Sequence, residues 1–176
     1  MNPRFVPFMS KFYPSVIILL LFATAVSCTR NDAQREFEQE AYSAPNNYTE
    51  TAPNNGDILN NDPDDWRTSP RFQGFITVRP PFPNPVATNQ TIQFQLDIVS
   101  QGTVNGLLVY ILFDNGDRRV IYEDFDPLPQ SLYDFQLSAL SLSQVEGSPE
   151  SARGLKRIYL FDLNNRMISY GDILVE

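Results

Sequence analysis

The clearest pattern along the chain is an alternation of apolar and polar positions over residues 91–98. Isoleucine, phenylalanine and leucine occupy every second position, with threonine, glutamine and aspartate between them. This two-residue period predicts a β-strand with one buried face, whereas residues 106–113 are apolar on both faces and predict a central strand. Residues 72–78 predict the first strand. The four prolines in 79–85 then remove hydrogen-bond donors, so that segment cannot lie in a sheet interior.

Turn signals separate the later strands. Asp114-Asn115-Gly116-Asp117 follows the central strand, and Asn-Gly is a strong hairpin signal because both residues tolerate positive φ angles. Seven strands separated by frequent turns, with no long helix, predict an all-β domain, a single antiparallel sandwich of immunoglobulin-like type over residues 71–176. The remaining predicted strands are 118–124, 133–137, 154–162 and 166–175, with a turn at Asn164-Asn165 between the last two.

Residues 28–70 have a different composition, rich in asparagine, acidic residues and proline and poor in apolar residues. Such a segment cannot bury enough apolar surface to offset the entropy lost on ordering. A short helix is expected at 32–42, with Asn31 as its cap, but it has too few apolar positions to dock firmly. The composition therefore predicts a disordered tether.

The first 27 residues have the layout of an export signal. Arg4 and Lys11 are the only charged residues there, and an apolar run over 16–26 follows them. Small residues and Cys28 come next. Positive, apolar and small-residue regions in this order are typical of a secretory signal peptide, so we expect residues 1–27 to be removed on export.

The cleavage region, Ala25-Val26-Ser27-Cys28, resembles the lipobox of bacterial lipoproteins. The resemblance implies cleavage between Ser27 and Cys28, a diacylglycerol on the Cys28 sulfur, and acylation of the new amino group, typically with palmitate. Two or more acyl chains anchor a protein stably, whereas one holds it only marginally. Thr29 after the cysteine implies, in that family, the outer membrane of a Gram-negative bacterium.

The sequence leaves two alternatives open for this segment. Residues 12–29 carry no charge, which is at the lower limit for a membrane-spanning helix and would fit an uncleaved signal anchor. Pro14 and the polar Ser27 shorten that span. The chain could also be an ordinary secreted protein that is cleaved elsewhere, with Cys28 incidental.

Charge and composition narrow the function. The 176-residue chain has 21 acidic and 13 basic residues, a net charge of -8. This balance disfavours nucleic acid as a partner, because phosphate binding requires a basic surface. The absence of histidine excludes imidazole-based catalysis and histidine-ligated metal sites. The single cysteine cannot form an internal disulfide, and lipidation would account for it.

A second resemblance covers the start of the predicted domain. Phe82-Pro83-Asn84-Pro85, followed by the alternating strand 91–98 and by Asp114-x-Gly116, resembles the opening of two β-sandwich modules. One is the sorting tail of type IX secretion cargo, and the other is the immunoglobulin-like domain of the flagellar hook-capping protein. We expect no cargo domain in these 176 residues, so we take from this resemblance the sandwich fold and not the sorting function.

Acidic residues are the first candidates for ligand binding. Asp62, Asp64 and Asp65 lack the alternation and the central glycine of a calcium loop, which favours a solvated acidic linker. Asp117 and Asp124, with their neighbours Asp114 and Asp126, are expected near one end of a hairpin and could bind calcium. Turns favour aspartate in any case.

Aromatic residues and carboxylate pairs are the other candidates. Trp66, Phe72 and Tyr133 could form a sugar-stacking platform, although such residues also pack in cores. No spacing singles out a carboxylate pair suited to glycoside hydrolysis.

The sequence therefore predicts a non-enzymatic envelope lipoprotein without a cofactor, metal site or catalytic residues. It would present a β-sandwich on a tether and contact an unidentified envelope protein. A glycan- or calcium-binding surface module is the alternative, and a small hydrolase is the second alternative.

Overall fold

The computed structural model describes residues 32–113 and 115–176, so Ser27, Cys28 and Asp114 lie outside the described residues. The described residues form two antiparallel sheets packed face to face, preceded by a helix and a two-stranded hairpin. None of the helices in these two ranges is long and apolar enough to cross a membrane.

The secondary-structure elements include two helices, α1 and α2, and nine strands, of which β3 to β9 build the sandwich. A short 3₁₀-helix joins β7 to the loop before α2. The bounds are α1 32–41, β1 Glu50–Thr51, β2 Ile58–Asn60, β3 Ile76–Phe82, β4 Thr91–Ile98, β5 Thr103–Leu112, β6 Arg118–Pro129, β7 Leu132–Ser138, the 3₁₀-helix Ala139–Leu142, α2 Pro149–Ala152, β8 Gly154–Phe161 and β9 Met167–Val175.

The strand order confirms the predicted immunoglobulin-like sandwich. One sheet has the order β3-β4-β7 and the other has the order β6-β5-β8-β9. The first, second and fifth sandwich strands thus share one sheet, and the third, sixth and seventh share the other, as in immunoglobulin domains. The fourth strand, β6, lies at the free edge of the four-stranded sheet.

The core lies between the sheets and follows the alternation in the sequence. Ile92, Phe94, Leu96 and Ile98 of β4 are all buried, and they face buried side chains of β5 and β8. Burying each such side chain contributes about 1.5–3 kcal/mol. The central position predicted for residues 106–113 is confirmed, because β5 lies between β6 and β8.

The first strand lies further along the chain than predicted. Residues 72–75 form turns, in which the Ile76 N–H donates to the Phe72 carbonyl, and β3 then runs to Phe82 through Pro80 and Pro81. An edge strand tolerates prolines because its outer groups need no ladder partner. β3 is such an edge strand, and its register shifts at the prolines. The predicted strand at 72–78 is therefore corrected.

The predicted tether also needs correction over its described part, residues 32–70. Phe37 and Ala41 of α1 are buried against Tyr110, Tyr159 and Tyr170 on the outer face of the four-stranded sheet. The sequence argument considered the helix by itself, whereas the sheet supplies the apolar partners that it needs. The helix predicted at 32–42 is present, but it is firmly docked.

Trp66, from the same segment, belongs to the main core. Its side chain is 3% exposed, and its ring packs edge-on against Phe94 with centroids 5.8 Å apart. The domain therefore includes residues that precede the predicted boundary at residue 71.

Candidate interaction surface

The predicted lipidation and cleavage residues, Cys28 and Ser27, lie outside the described residues, so their chemistry stays a prediction. The other candidate residues do lie within the described part of the chain, with the exception of Asp114.

The predicted solvated linker at Asp62, Asp64 and Asp65 is corrected for Asp62 and Asp65, which are buried, whereas Asp64 is exposed. Asp62 is 7% exposed and Asp65 is 8% exposed. The Thr49 N–H donates to Asp65 Oδ2 at 2.7 Å, and the Asp172 N–H donates to Asp65 Oδ1 at 3.0 Å. Asp65 thus binds two backbone amides from separate parts of the chain.

The predicted cluster of acidic residues at one hairpin end does not form among its described members. β6 is extended and Asp117 directly precedes it, so Asp117 and Asp124 lie about 23 Å apart at roughly 3.3 Å per residue. The Asp124 carboxylate instead accepts the Asp126 N–H at 3.0 Å. Within residues 32–113 and 115–176, no group of three or more histidine, cysteine or acidic side chains could hold a metal ion.

The aromatic platform is also corrected. Trp66 and Phe72 are 3% and 4% exposed, so their faces are covered by the core. Tyr133 packs against the same core, and its hydroxyl donates to the Pro129 carbonyl at 2.8 Å. These three rings therefore present no shared surface to a sugar.

The N-terminal segment, residues 32–70, covers the outer edge of β9. The Trp66 and Ser69 N–H groups donate to the carbonyls of Tyr170 and Ile168, each at 2.8 Å. Further along, the Leu174 N–H donates to Asn84 Oδ1 at 2.9 Å. An edge strand with unpaired amides invites association with other chains, and a covering segment prevents it.

Asn84 connects this edge to the N-terminal segment. Its side chain is fully buried, and its amide donates to the carbonyls of Thr49 at 2.8 Å and Asp172 at 3.0 Å. It lies between Pro83 and Pro85, in the Pro-Asn-Pro turn that the sequence singled out only through a family resemblance.

A buried ion pair between Arg157 and Asp172 connects β8, β9 and the end of α1. Arg157 of β8 donates from Nε to Asp172 Oδ1 at 2.8 Å and from Nη2 to Asp172 Oδ2 at 2.6 Å. Its Nη1 donates to the Ala41 carbonyl at 3.2 Å and the Ser43 carbonyl at 2.8 Å, at the end of α1. Burial by itself lowers the pKa of Arg157, but the hydrogen bonds and charge of Asp172 outweigh burial and raise it.

Asp65 lies beside this ion pair, and the pKa of its carboxyl group is raised. Burial, with the nearby negative charge of Asp172, raises the pKa of Asp65 to about 7, although the amide donors Thr49 and Asp172 oppose the shift. We infer a structural role for these acids, because their oxygens are occupied by backbone amides and by Arg157.

Among residues 32–113 and 115–176, no strand covers the opposite edge of the four-stranded sheet, because β6 pairs with β5 on one side only. Near the start of β6, the Arg119 side chain donates to the Ser141 and Ser143 carbonyls. Among the described residues, none in Arg118–Pro129 makes a backbone–backbone hydrogen bond outside its strand pairing. Val120 is 46% exposed and Phe125 is 66% exposed on this strand.

The surface of β6 carries both charge signs and a shallow depression. Arg118 and Arg119 begin the strand, and Glu123 and Asp124 follow in its middle. A cavity of about 390 Å³ is lined by Val120, Ile121, Tyr122 and Glu123. We call the exposed side of Arg118–Asp126 the β6 edge. The sequence did predict a return strand here, but it gave no sign that this strand would be an uncovered one.

The sequence argument also missed Arg157, Asp172 and Asn84. Arg157 and Asp172 are charged residues within otherwise apolar strands, which is a signal for a buried pair. Asn84 has no comparable signal besides its flanking prolines.

No protein-family model and no curated protein matches this chain. Among solved structures, it is similar to T. fusca AA10A, with a TM-score of 0.36 and 10% identity over 52% of this chain and 51% of that chain. An LPMO from Kitasatospora papulosa gives a TM-score of 0.36 and 10% identity over 54% and 52% of the two chains. A CARDB domain from Pyrococcus furiosus in complex with di-metal ions gives 0.32 and 16% over 57% and 84%. This chain spans about half the length of the first two, and these likenesses assign no activity, ligand or metal to it.

Proposed function

We propose that this protein is a lipid-anchored envelope protein that acts through protein contacts, with the β6 edge as its docking surface. The anchor is Cys28, which carries a diacylglycerol on its sulfur and an acyl chain on its amino group. It holds the protein in the outer membrane of a Gram-negative bacterium. The protein binds its partner and does no chemistry on it.

The contrast between the two edges of one sheet is the observation that supports docking at β6. Backbone amides, Asp65 and Asn84 fill the outer side of β9, whereas the outer side of β6 receives no such cover from the described residues. A strand edge binds an incoming strand through main-chain hydrogen bonds, with side chains supplying specificity. The exposed Val120 and Phe125 supply apolar contacts there.

The position of α1 adds a geometric consequence for an anchored protein. Cys28 precedes residue 32, the first described residue of α1, by four residues, which span at most about 14 Å when fully extended. Since α1 is docked on the sandwich, a lipid on Cys28 holds the domain close to the bilayer. A partner would then lie at or near the same membrane.

The anchor is tested by growing cells with an alkyne analogue of palmitate and detecting label on the purified chain. We expect label on the natural chain and on Ser27→Ala, which keeps a small residue before the cysteine, and no label on Cys28→Ser. A natural chain without label, or label retained by Cys28→Ser, would contradict the proposed anchor.

The docking surface is tested with a photoreactive benzophenone amino acid placed at residue 120 in intact cells. A second chain carries it at Leu59, a residue of β2 that is 62% exposed and lies outside β6. We expect a covalent adduct from residue 120 and none from residue 59. Absence of an adduct at 120, or equal adducts from both positions, would contradict docking at β6.

A further inference from the structure

We propose that the end of the sandwich at which α1 begins faces the lipid bilayer, and that exposed aliphatic side chains at this end contact the lipid. This inference rests on the proposed anchor at Cys28 and goes beyond it, because an anchor alone does not determine which face of a domain touches the membrane. The loops concerned are residues 72–75, 99–102, 130–132 and 163–165, which we call the uncharged end.

Hydrogen bonds bring these four loops together at one end of the sandwich. The Val99 N–H donates to the Phe75 carbonyl at 3.0 Å, and the Gln130 side chain donates to the Val99 carbonyl at 3.1 Å. The Leu163 N–H donates to the Asn105 carbonyl at 2.8 Å, near the start of β5. The loop between β4 and β5 directly precedes this strand, so the four loops form one surface.

The start of α1 lies at this same end. The Arg71 N–H, next to the first of these loops, donates to Gln34 Oε1 in the first turn of α1 at 3.0 Å. Cys28 precedes the first residue of α1 by four residues, which span at most about 14 Å. A lipid on Cys28 therefore holds this end of the sandwich near the bilayer. The other end of α1 is further along the sheet, where the Ser43 carbonyl accepts from Arg157 at 2.8 Å.

The uncharged end combines apolar side chains with a complete lack of charge in its four loops. Val99 is 43% exposed and Leu132 is 47% exposed. Phe75 and Leu163 are half-buried beside them in the same set of loops. Apolar side chains at the boundary between headgroups and acyl chains strengthen membrane binding in proportion to the apolar area that they bury. This end therefore has the side chains that a shallow contact with lipid requires.

The opposite end of the sandwich is acidic and less suited to a membrane surface. Its connections carry Asp57, Asp117, Glu146 and Glu150 against Arg153. A bilayer that contains anionic lipid has a negative surface potential, which repels acidic groups. Because the whole chain has a net charge of -8, the uncharged end is the one that approaches such a bilayer with the least repulsion.

The charged residues that flank the uncharged end are compatible with this contact. Arg166 pairs with Asp162, which is fully buried. Asp97 precedes Val99 by two residues of extended chain, so it lies about 7 Å further back along β4. Arg71 is exposed, and its positive charge favours an anionic lipid surface. The contact is therefore limited to the loops themselves.

The contact is tested with an environment-sensitive dye on a single introduced cysteine. The full-length chain is produced in bacterial cells, purified in detergent and reconstituted into vesicles of phosphatidylethanolamine with a minor fraction of phosphatidylglycerol. Some of these lipids carry a nitroxide near the headgroup. A lipid-anchored Cys28 has no free thiol, so the dye couples to Val99→Cys and not to the natural chain. The matched control is Val145→Cys, at a valine of the opposite end that is 64% exposed.

We expect the nitroxide lipids to quench the dye at residue 99 about threefold more strongly than the dye at residue 145. Equal quenching at the two positions, or none at residue 99, would overturn the contact while leaving the anchor supported. Coupling of the dye to Cys28 of the natural chain would overturn the anchor and this inference together.

A second measurement separates the contact from the effect of the short tether. With the dye on Gln101→Cys, the pair Val99→Asp and Leu132→Asp should reduce quenching about threefold, because charged side chains leave the lipid boundary. Val145→Asp in the same labelled chain should leave quenching unchanged. Emission of Trp66 checks that each variant is folded. Quenching that persists in the double variant would show that the tether alone sets the distance, and it would overturn the aliphatic contact.

Discussion

At the residue scale, a few polar side chains connect the N-terminal segment to the sandwich. Arg157 is 7% exposed and Asp172 is 1% exposed, and together they join β8, β9 and the end of α1. Removing one member of such a pair leaves the other charge buried without compensation, which costs more than the pair contributes when intact. The pair therefore determines where α1 ends on the sheet.

Arg157→Met should lower the free energy of unfolding by about 3–5 kcal/mol, because it leaves the Asp172 carboxylate buried and unpaired. Chemical denaturation of the purified chain measures this change. The matched control is Arg35→Met, which removes the exposed ion pair with Asp32 at 2.9 Å and should cost no more than about 1 kcal/mol. Equal losses for the two variants would contradict the role given to Arg157.

At the element scale, the two edge strands of the four-stranded sheet, β9 and β6, differ in how their outer edges are covered. β9 is covered by a segment that supplies amides at Trp66 and Ser69, and β6 has no such cover among the described residues. Charges, bulges and prolines normally reduce unwanted pairing at an open edge.

Close packing of Trp66 on β9 gives a test of the covered edge. A Cβ atom at Gly171 would lie 2.2 Å from Trp66 Cε2, so Gly171→Ala must displace the indole ring. We expect a loss of about 1–3 kcal/mol in the free energy of unfolding. Since Trp66 is the single tryptophan, its fluorescence should shift to longer wavelength as the ring becomes hydrated.

Gly74→Ala is the control for this experiment. A Cβ atom there has no neighbour within 4 Å, so the variant should keep the emission of the natural chain even though the φ angle of 75° strains an alanine. An unchanged spectrum for Gly171→Ala would show that Trp66 does not depend on the close approach to β9.

At the scale of the whole molecule, the domain begins well before the strand-rich part of the chain. The segment before β3 contributes Trp66 to the main core and Phe37 to the cluster on the outer face of the sheet. The molecule is thus a sandwich whose edge at β9 is covered, whereas no strand covers the edge at β6 among the described residues.

A chain that begins at residue 71 should be much less stable than one that begins at residue 32. Loss of Trp66 from the core alone corresponds to about 3–5 kcal/mol, and the exposed edge of β9 promotes aggregation. Urea denaturation and size-exclusion chromatography of both chains measure the two effects. Equal stability and equal solubility would support the predicted boundary at residue 71 and contradict a structural role for the segment before it.

The sequence by itself determined most strands of the sandwich, because the two-residue period of β4 records which side chains face the core and the largely apolar runs of β5, β8 and β9 mark well-covered strands. Only the tertiary structure decided the first strand, the position of residues 32–70 and the difference between the two sheet edges. Asp65, Asn84 and Arg157 depend on partners that are distant along the chain, and local composition does not record such partners. The polar segment 32–70 is stable because it forms hydrogen bonds with the backbone of β9 and packs against apolar rings on the outer face of the sheet. Those partners are brought together only in the folded sandwich.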